Sequence, residues 1–104
     1  MLRHCRFTLA RDGQQAIAAA LADRPDLILM DVQMPVLDGL TATRRLRADA
    51  RTARIPIIVI TALAMPDDRT RCLEAGATSY LSKPVNLREL ARHVAEALAR
   101  PVPS

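Results

Sequence analysis

Apolar positions along this chain switch back and forth between two periods. Cys5, Phe7 and Leu9 alternate with Arg6, Thr8 and Ala10, the two-residue period of a short strand. Asp12-Gly13-Gln14-Gln15 is a capping-box arrangement, an acid followed three residues later by Gln, and an Ala-rich helix runs from it to about Asp23. Arg24-Pro25 ends that helix, because proline disfavours helical backbone at the residue before it. Leu27-Ile28-Leu29-Met30 is apolar without alternation, the pattern of a strand buried on both faces, and it stops at Asp31. A loop containing Pro35 follows, as far as Asp38-Gly39, and a helix is expected from Leu40 to about Asp49. Ile55–Ile60 is a second unbroken apolar run, ending at Thr61-Ala62, with Pro56 near its start where it is tolerated. Pro66-Asp67-Asp68 opens another helix and Gly76 closes it. Thr78–Ser82 is a short strand running into Lys83-Pro84, and Asn86-Leu87-Arg88-Glu89 is a capping box for a last helix to about Ala99. The order is β-α-β-α-β-α-β-α. Short connections and strict alternation predict an α/β fold, a parallel sheet flanked by helices and joined by right-handed crossovers.

Composition narrows the classes. The 104 residues are 50% hydrophobic and 25% charged, which suits one packed domain over residues 1–104. Phe7 and Tyr80 are the only aromatics, so the core is built from Ala, Leu, Ile and Val. No apolar stretch approaches the roughly 18 residues of a membrane span, and no export signal is expected at the N-terminus. Cys5 and Cys72 form no CxxC, and the expectation is a reduced, cytoplasmic chain. His4 and His93 are isolated and belong to no zinc pattern. The net charge of +4 raises nucleic acid as a partner. The arginines are spread out, however, and Arg44, Arg45 and Arg47 at helical spacing read as a solvated face. Gly13, Gly39 and Gly76 make no nucleotide-binding loop. Neither nucleic acid nor a membrane is expected to bind directly.

Three strands end in polar residues of complementary chemistry: Asp31, Thr61 and Lys83. The carboxyl ends of parallel strands lie on one edge, where open α/β sheets place their chemistry. A carboxylate there can be the nucleophile that forms an acyl phosphate. An ammonium, a hydroxyl and the backbone N–H of Ala62 can hold the transferred oxygens, because phosphoryl transfer is mostly positioning and charge neutralisation. Mg²⁺ is the natural metal for such oxygen ligands. Lys83 is the only lysine among 15 basic residues, as expected where a compact ammonium cannot be exchanged for a planar fork. Structural alternatives stand beside this reading: Asp31 capping a turn or helix, and Lys83 laid along an apolar strand end. A phosphohydrolase with an aspartyl-phosphate intermediate is disfavoured, because the position two after Asp31 is Gln33, which transfers no proton.

The pieces Pro25-Asp26-Leu27-Ile28-Leu29-Met30-Asp31, Met34-Pro35 with Asp38-Gly39, Ile60-Thr61-Ala62, Ala75-Gly76-Ala77 and Tyr80-Leu81-Ser82-Lys83-Pro84 occur in order. Together they resemble the receiver domain of two-component response regulators, over nearly the whole chain, in wording most similar to receivers of hybrid sensor kinases and phosphorelays. The resemblance implies a flavodoxin-like parallel sheet. It implies that Asp31 is the phosphoacceptor and that Mg²⁺ is held by Asp31 and the carbonyl of Gln33. It further implies that Thr61 and Ala62 bind phosphoryl oxygens and that Lys83 pairs with the phosphate. Tyr80 is then the aromatic that turns inward when Thr61 moves, Lys83-Pro84 a cis peptide, and Gln33 and Leu63 the positions that set dephosphorylation rate. The partner is a histidine kinase or histidine phosphotransfer protein. The activity is signalling, with at most slow self-dephosphorylation, and the output face is the helix after Thr61, the last strand and the last helix.

The resemblance has one departure. The family's first strand, the acidic pair at its end and most of its first helix have no counterpart here; Met1-Leu2-Arg3-His4 matches the end of that helix. That strand would stand between the strands of residues 5–10 and 26–31. Its absence is expected to open two sheet edges and to leave the metal one carboxylate, with Asp12 read as a cap and Asp67 or Asp68 as the nearest substitutes. Three explanations follow: a truncated sequence, a homodimer that rebuilds the sheet by strand exchange, or a degenerate pseudo-receiver that binds partners without phosphorylation. Reduced stability and a tendency to oligomerise are the corresponding expectations.

Overall fold

Residues 6–32, 36–62 and 67–99 are described in a computed structural model of the chain. The order along the chain is β1 (Phe7–Ala10), α1 (Gly13–Asp23), β2 (Leu27–Val32), α2 (Val36–Ala48), β3 (Ile57–Thr61), α3 (Asp68–Ala75), β4 (Ser79–Ser82) and α4 (Leu87–Ala99). The four strands form one parallel sheet in the order β1-β2-β3-β4, each crossover advancing one strand. The two unbroken apolar runs are the central strands, as burial on both faces requires.

Side chains alternate across this sheet and build two cores. One face carries Ala10, Ile28, Met30, Ile57, Val59 and Tyr80 against Ala16 and Ala20 of α1, Leu40 and Leu46 of α2, and Cys72 and Ala75 of α3. The other face carries Leu27, Ile58, Ile60 and Leu81 against Ala97 of α4, with Leu29, Leu90 and Val94 half-buried beside them. Three helices thus cover one face and a single helix the other. No helix among the described residues is long and apolar enough to cross a membrane.

Local chemistry fixes the element ends. Asp12 Oδ1 accepts from the Gln15 N–H at 2.8 Å, and Gln15 Oε1 accepts from the Arg11 N–H at 2.9 Å. Asn86 Oδ1 accepts from the N–H groups of Arg88 at 2.8 Å and Glu89 at 3.3 Å, capping α4. Gly76 ends α3 with φ +115°, a left-handed conformation that favours glycine. Arg47 lies over that turn. It donates to the carbonyls of Gly76 at 2.8 Å, Ala53 at 3.1 Å and Ile55 at 2.6 Å, fastening α2 to α3 and to the segment before β3. Burial lowers the pKa of this guanidinium.

Two boundaries and one larger expectation are corrected. Helix α2 begins at Val36, not Leu40: Asp38-Gly39 reads as a turn by composition, yet Gly39 is buried inside the helix and its carbonyl accepts from Thr43 Oγ1 at 2.7 Å. Packing of a buried face overrides a glycine penalty of about 1 kcal/mol. Strand β3 begins at Ile57, after Pro56, which has no N–H for the ladder. The expected break in the sheet is absent. β1 pairs directly with β2, from Phe7 opposite Leu27 to Ala10 opposite Met30. Two strands with free backbone groups satisfy each other when nothing stands between them. The gap that motivated a strand-exchanged dimer is closed within one chain.

Candidate functional site

The carboxyl edge of the sheet gathers Asp31, Thr61 and Lys83 from three neighbouring chain segments. Asp31 is the next-to-last residue of β2 and is opposite Ile60. Thr61 ends β3, opposite Val32 on one side and Ser82 on the other. The Lys83 N–H donates to the Thr61 carbonyl at 2.8 Å, which continues the β4 ladder by one residue and seats Lys83 at the edge. From there its side chain crosses the end of β3 to reach β2, a span of roughly 10 Å at strand spacing. Its Nζ lies 2.9 Å from Asp31 Oδ1 and donates to Oδ2 at 3.1 Å.

The Asp31 side chain is 22% exposed and that of Lys83 is 37% exposed. An ion pair so open to water adds little to stability, so this pair is better explained by chemistry than by folding. Asp31 Oδ1 is buried and is neutralised by the Lys83 ammonium at 2.9 Å without an aligned hydrogen bond of its own. The Lys83–Pro84 peptide is cis.

Thr61 is fully buried and Ala62 is exposed at the rim. Tyr80 packs in the three-helix core at 8% exposure, and its hydroxyl is buried without a hydrogen-bond partner. Burial, then the charge of Asp68, raises its pKa. Tyr80 also lines an open cleft of about 420 Å³, with Arg69 from α3, Ser82 from β4, and Glu89, Arg92 and His93 from α4. His93 Nδ1 is 3.0 Å from Ser79 Oγ. Gln33 and Leu63 lie outside the described residues.

Of the three acids considered as substitutes, two are engaged elsewhere and the third is exposed. Asp12 caps α1, Asp67 is exposed ahead of α3, and Asp68 is 4% exposed with Arg71 Nη1 at 3.8 Å. Among the described residues no group of three or more His, Cys, Asp or Glu side chains is placed to hold a metal. Asp68 is the residue that sequence reasoning placed poorly. The signal was present, because Asp68 and Cys72 are four apart and share the inward face of α3.

Comparison with known proteins bears on this arrangement. The family model described as response regulator receiver domain matches residues 2–95. Response regulator PleD of Caulobacter vibrioides is 48% identical over 77 residues, covering 74% of this chain and 17% of PleD. Hybrid signal transduction histidine kinase G of Dictyostelium discoideum is 45% identical over 87 residues, covering 83% of this chain and 2% of the kinase. The chain therefore spans a small part of the length of these relatives. Among solved structures, the receiver domain of sensor histidine kinase PA1611 from Pseudomonas aeruginosa aligns with a TM-score of 0.78 at 34% identity, over 94% of this chain and 100% of that one. That crystal structure has a magnesium ion coordinated in the active-site cleft.

Proposed function

The chain belongs to the response regulator receiver domain family of two-component signalling, and on that premise we propose that Asp31 is the residue on which it receives a phosphoryl group. The single observation that carries the assignment is the approach of Lys83 Nζ to within 2.9 Å of Asp31 Oδ1 at the carboxyl edge of the sheet. The donor is a phosphohistidine on a histidine kinase or phosphotransfer protein. An Asp31 carboxylate oxygen attacks the phosphorus; a P–O bond forms, the P–N bond breaks, and the imidazole leaves with the electron pair. Lys83 neutralises charge on the equatorial oxygens, and the Thr61 hydroxyl with the Ala62 N–H provides further donors.

The residues fit Mg²⁺ as a site of one carboxylate. Asp31 Oδ1 faces the Lys83 ammonium at 2.9 Å without an aligned hydrogen bond, and Mg²⁺ is commonly held by one or two carboxylates together with phosphate oxygens and water. Asp31 would hold it, with the Gln33 carbonyl; when bound it offsets the charge that gathers on the phosphoryl group. Engagement of Thr61 by the phosphoryl group is read out by Tyr80, which lines the α3-β4-α4 cleft. Self-dephosphorylation is slow, since Gln33 is no proton donor. The module works in the cytoplasm, where Cys72 stays a free thiol.

Incubation with Mg²⁺ and phosphoramidate, followed by intact mass, tests this. One phosphoryl adduct is expected, labile to hydroxylamine, absent in Asp31→Asn and reduced at least tenfold in Lys83→Met. An adduct of equal yield in Asp31→Asn, or none in a sample shown to be folded, would overturn the assignment.

A further inference from the structure

Thr61 and Tyr80 share one face of the sheet. Thr61 follows Ile57 and Val59 at the two-residue period of β3, so its side chain stands on the three-helix side with theirs. Tyr80 stands on that side too. Val59 is its partner in the ladder, and Ser82 is the partner of Thr61. Tyr80 is thus one strand over from Thr61 and two residues back, roughly 8 Å away at the spacings of a sheet.

A third polar group enters the same core. Helix α3 turns Asp68, Cys72 and Ala75 inward. Cys72 and Ala75 pack in the core that holds Tyr80. The helix follows the carboxyl edge and its far end feeds β4, so it runs back along the strands. Asp68 is therefore one turn, roughly 6 Å, nearer that edge than Cys72. It is the one buried charged side chain among the described residues, at 4% exposure.

Neither a helix dipole nor an ion pair accounts for that burial. The positive end of α3 favours an acid in its first turn whether buried or exposed, and Asp67 just ahead is exposed. Arg71 stands 3.8 Å away with half of its side chain in water, a loose partner for a buried charge. The carboxylate does reach two other groups of the core. Burial first, and then the charge of Asp68, raises the pKa of both the Tyr80 hydroxyl and the Cys72 thiol. That hydroxyl is buried without a hydrogen-bond partner, and a negative charge nearby attracts such a donor. On its other side the ring lines the open cleft, where Glu89 is the competing acceptor among Arg69, Arg92 and His93. Glu89 is exposed and screened by water, whereas Asp68 is not.

We propose that Asp68 is a positioning residue whose buried charge holds the Tyr80 ring inward, beside Thr61, against the pull of the cleft, a role that rests on Tyr80 being the relay from Thr61. Asp68 takes no part in the transfer at Asp31. With its charge removed, the ring divides its time between core and cleft. With its charge less compensated, the ring is held more firmly.

Tyr80 is the only tyrosine and there is no tryptophan. Fluorotyrosine incorporated into the full chain therefore gives a fluorine NMR signal from Tyr80 alone, and its change between H₂O and D₂O reports the exposed fraction of the ring. In the unphosphorylated chain, Asp68→Asn keeps the shape, removes the charge, and should raise that fraction at least threefold. Glu89→Gln should not raise it. Cys72→Ala opens a gap on the same face without touching the charge and should leave it unchanged. Arg71→Gln alters an exposed side chain, is read even where Asp68→Asn fails to fold, and should lower it. With Mg²⁺ and phosphoramidate, Asp68→Asn should take the phosphoryl group in wild-type yield by intact mass, with the ring at least threefold more exposed than in the phosphorylated wild type. A wild-type signal in Asp68→Asn, an equal rise in Cys72→Ala, or no fall in Arg71→Gln would overturn the proposal. Absence of an adduct in the wild type would overturn the assignment of Asp31 alone, because the unphosphorylated chain decides the role of Asp68.

Discussion

At the residue scale, the chemistry of this chain was readable because few residue types carry it. The single lysine and the carboxylate after an unbroken apolar run meet at 2.9 Å, and the strand ends that bring them together follow from hydrophobic period alone. What could not be read was which other acids join them. Asp12 and Asp68 are equivalent to Asp31 in composition; the difference is that one is tied to the Gln15 N–H and the other is buried on α3. Cys72 shows how burial decides a residue's behaviour. It is 1% exposed, and burial, aided by the Asp68 charge, pushes its thiol up from 9.0 to about 11. A raised pKa means that the folded chain holds the proton more tightly than the unfolded one. The contribution is complete below about pH 9 and is lost as pH climbs toward about 11. The stability advantage of the wild type over Cys72→Ala, measured as urea midpoints, should therefore shrink between about pH 8 and about pH 10.5. A constant difference would contradict it.

At the scale of elements, caps and periodicity located all eight, and the misplaced ends have a common cause. Asp38-Gly39 has turn composition but sits inside α2, because the buried face of the helix decides the matter. The Arg47 latch was legible in no pattern. Arg47 was read as part of a solvated arginine face, and only the turn at Gly76 gives it carbonyls to bind. A Cβ at Gly76 would lie 2.6 Å from Arg47 Cγ, in a backbone at φ +115°. Arg47 cannot swing away without releasing three carbonyls. Gly76→Ala should cost about 2–3 kcal/mol, and Arg47→Ala about as much through its lost charged hydrogen bonds. The double variant should cost at least about 1 kcal/mol less than the sum, since one clash is removed only once. Additive losses in chemical denaturation would show that the two act independently.

At the scale of the whole molecule, the sheet closes over the place where the family pattern puts another strand. Pairing of β1 with β2 was not expected from the sequence, because the family pattern sets another strand between them, although strands consecutive in the chain are commonly neighbours. The pairing keeps the ladder continuous but leaves three helices on one face and one on the other, and the bare strip at Phe7 and Leu9 is the consequence. The edge that holds Asp31, Thr61 and Lys83 is the opposite outcome: it depends on β2, β3 and β4 alone, and these three are in register from Ile28 to Ser82. The phosphoacceptor is therefore expected to work in the chain as it stands. The most direct test is to find where the phosphoryl group resides. After phosphorylation with Mg²⁺ present, borohydride converts an aspartyl phosphate to homoserine, and peptide sequencing by mass spectrometry locates it. The account predicts homoserine at residue 31 and at no other acid. Asp31 recovered unchanged from a folded chain, or homoserine at another acid, would contradict it.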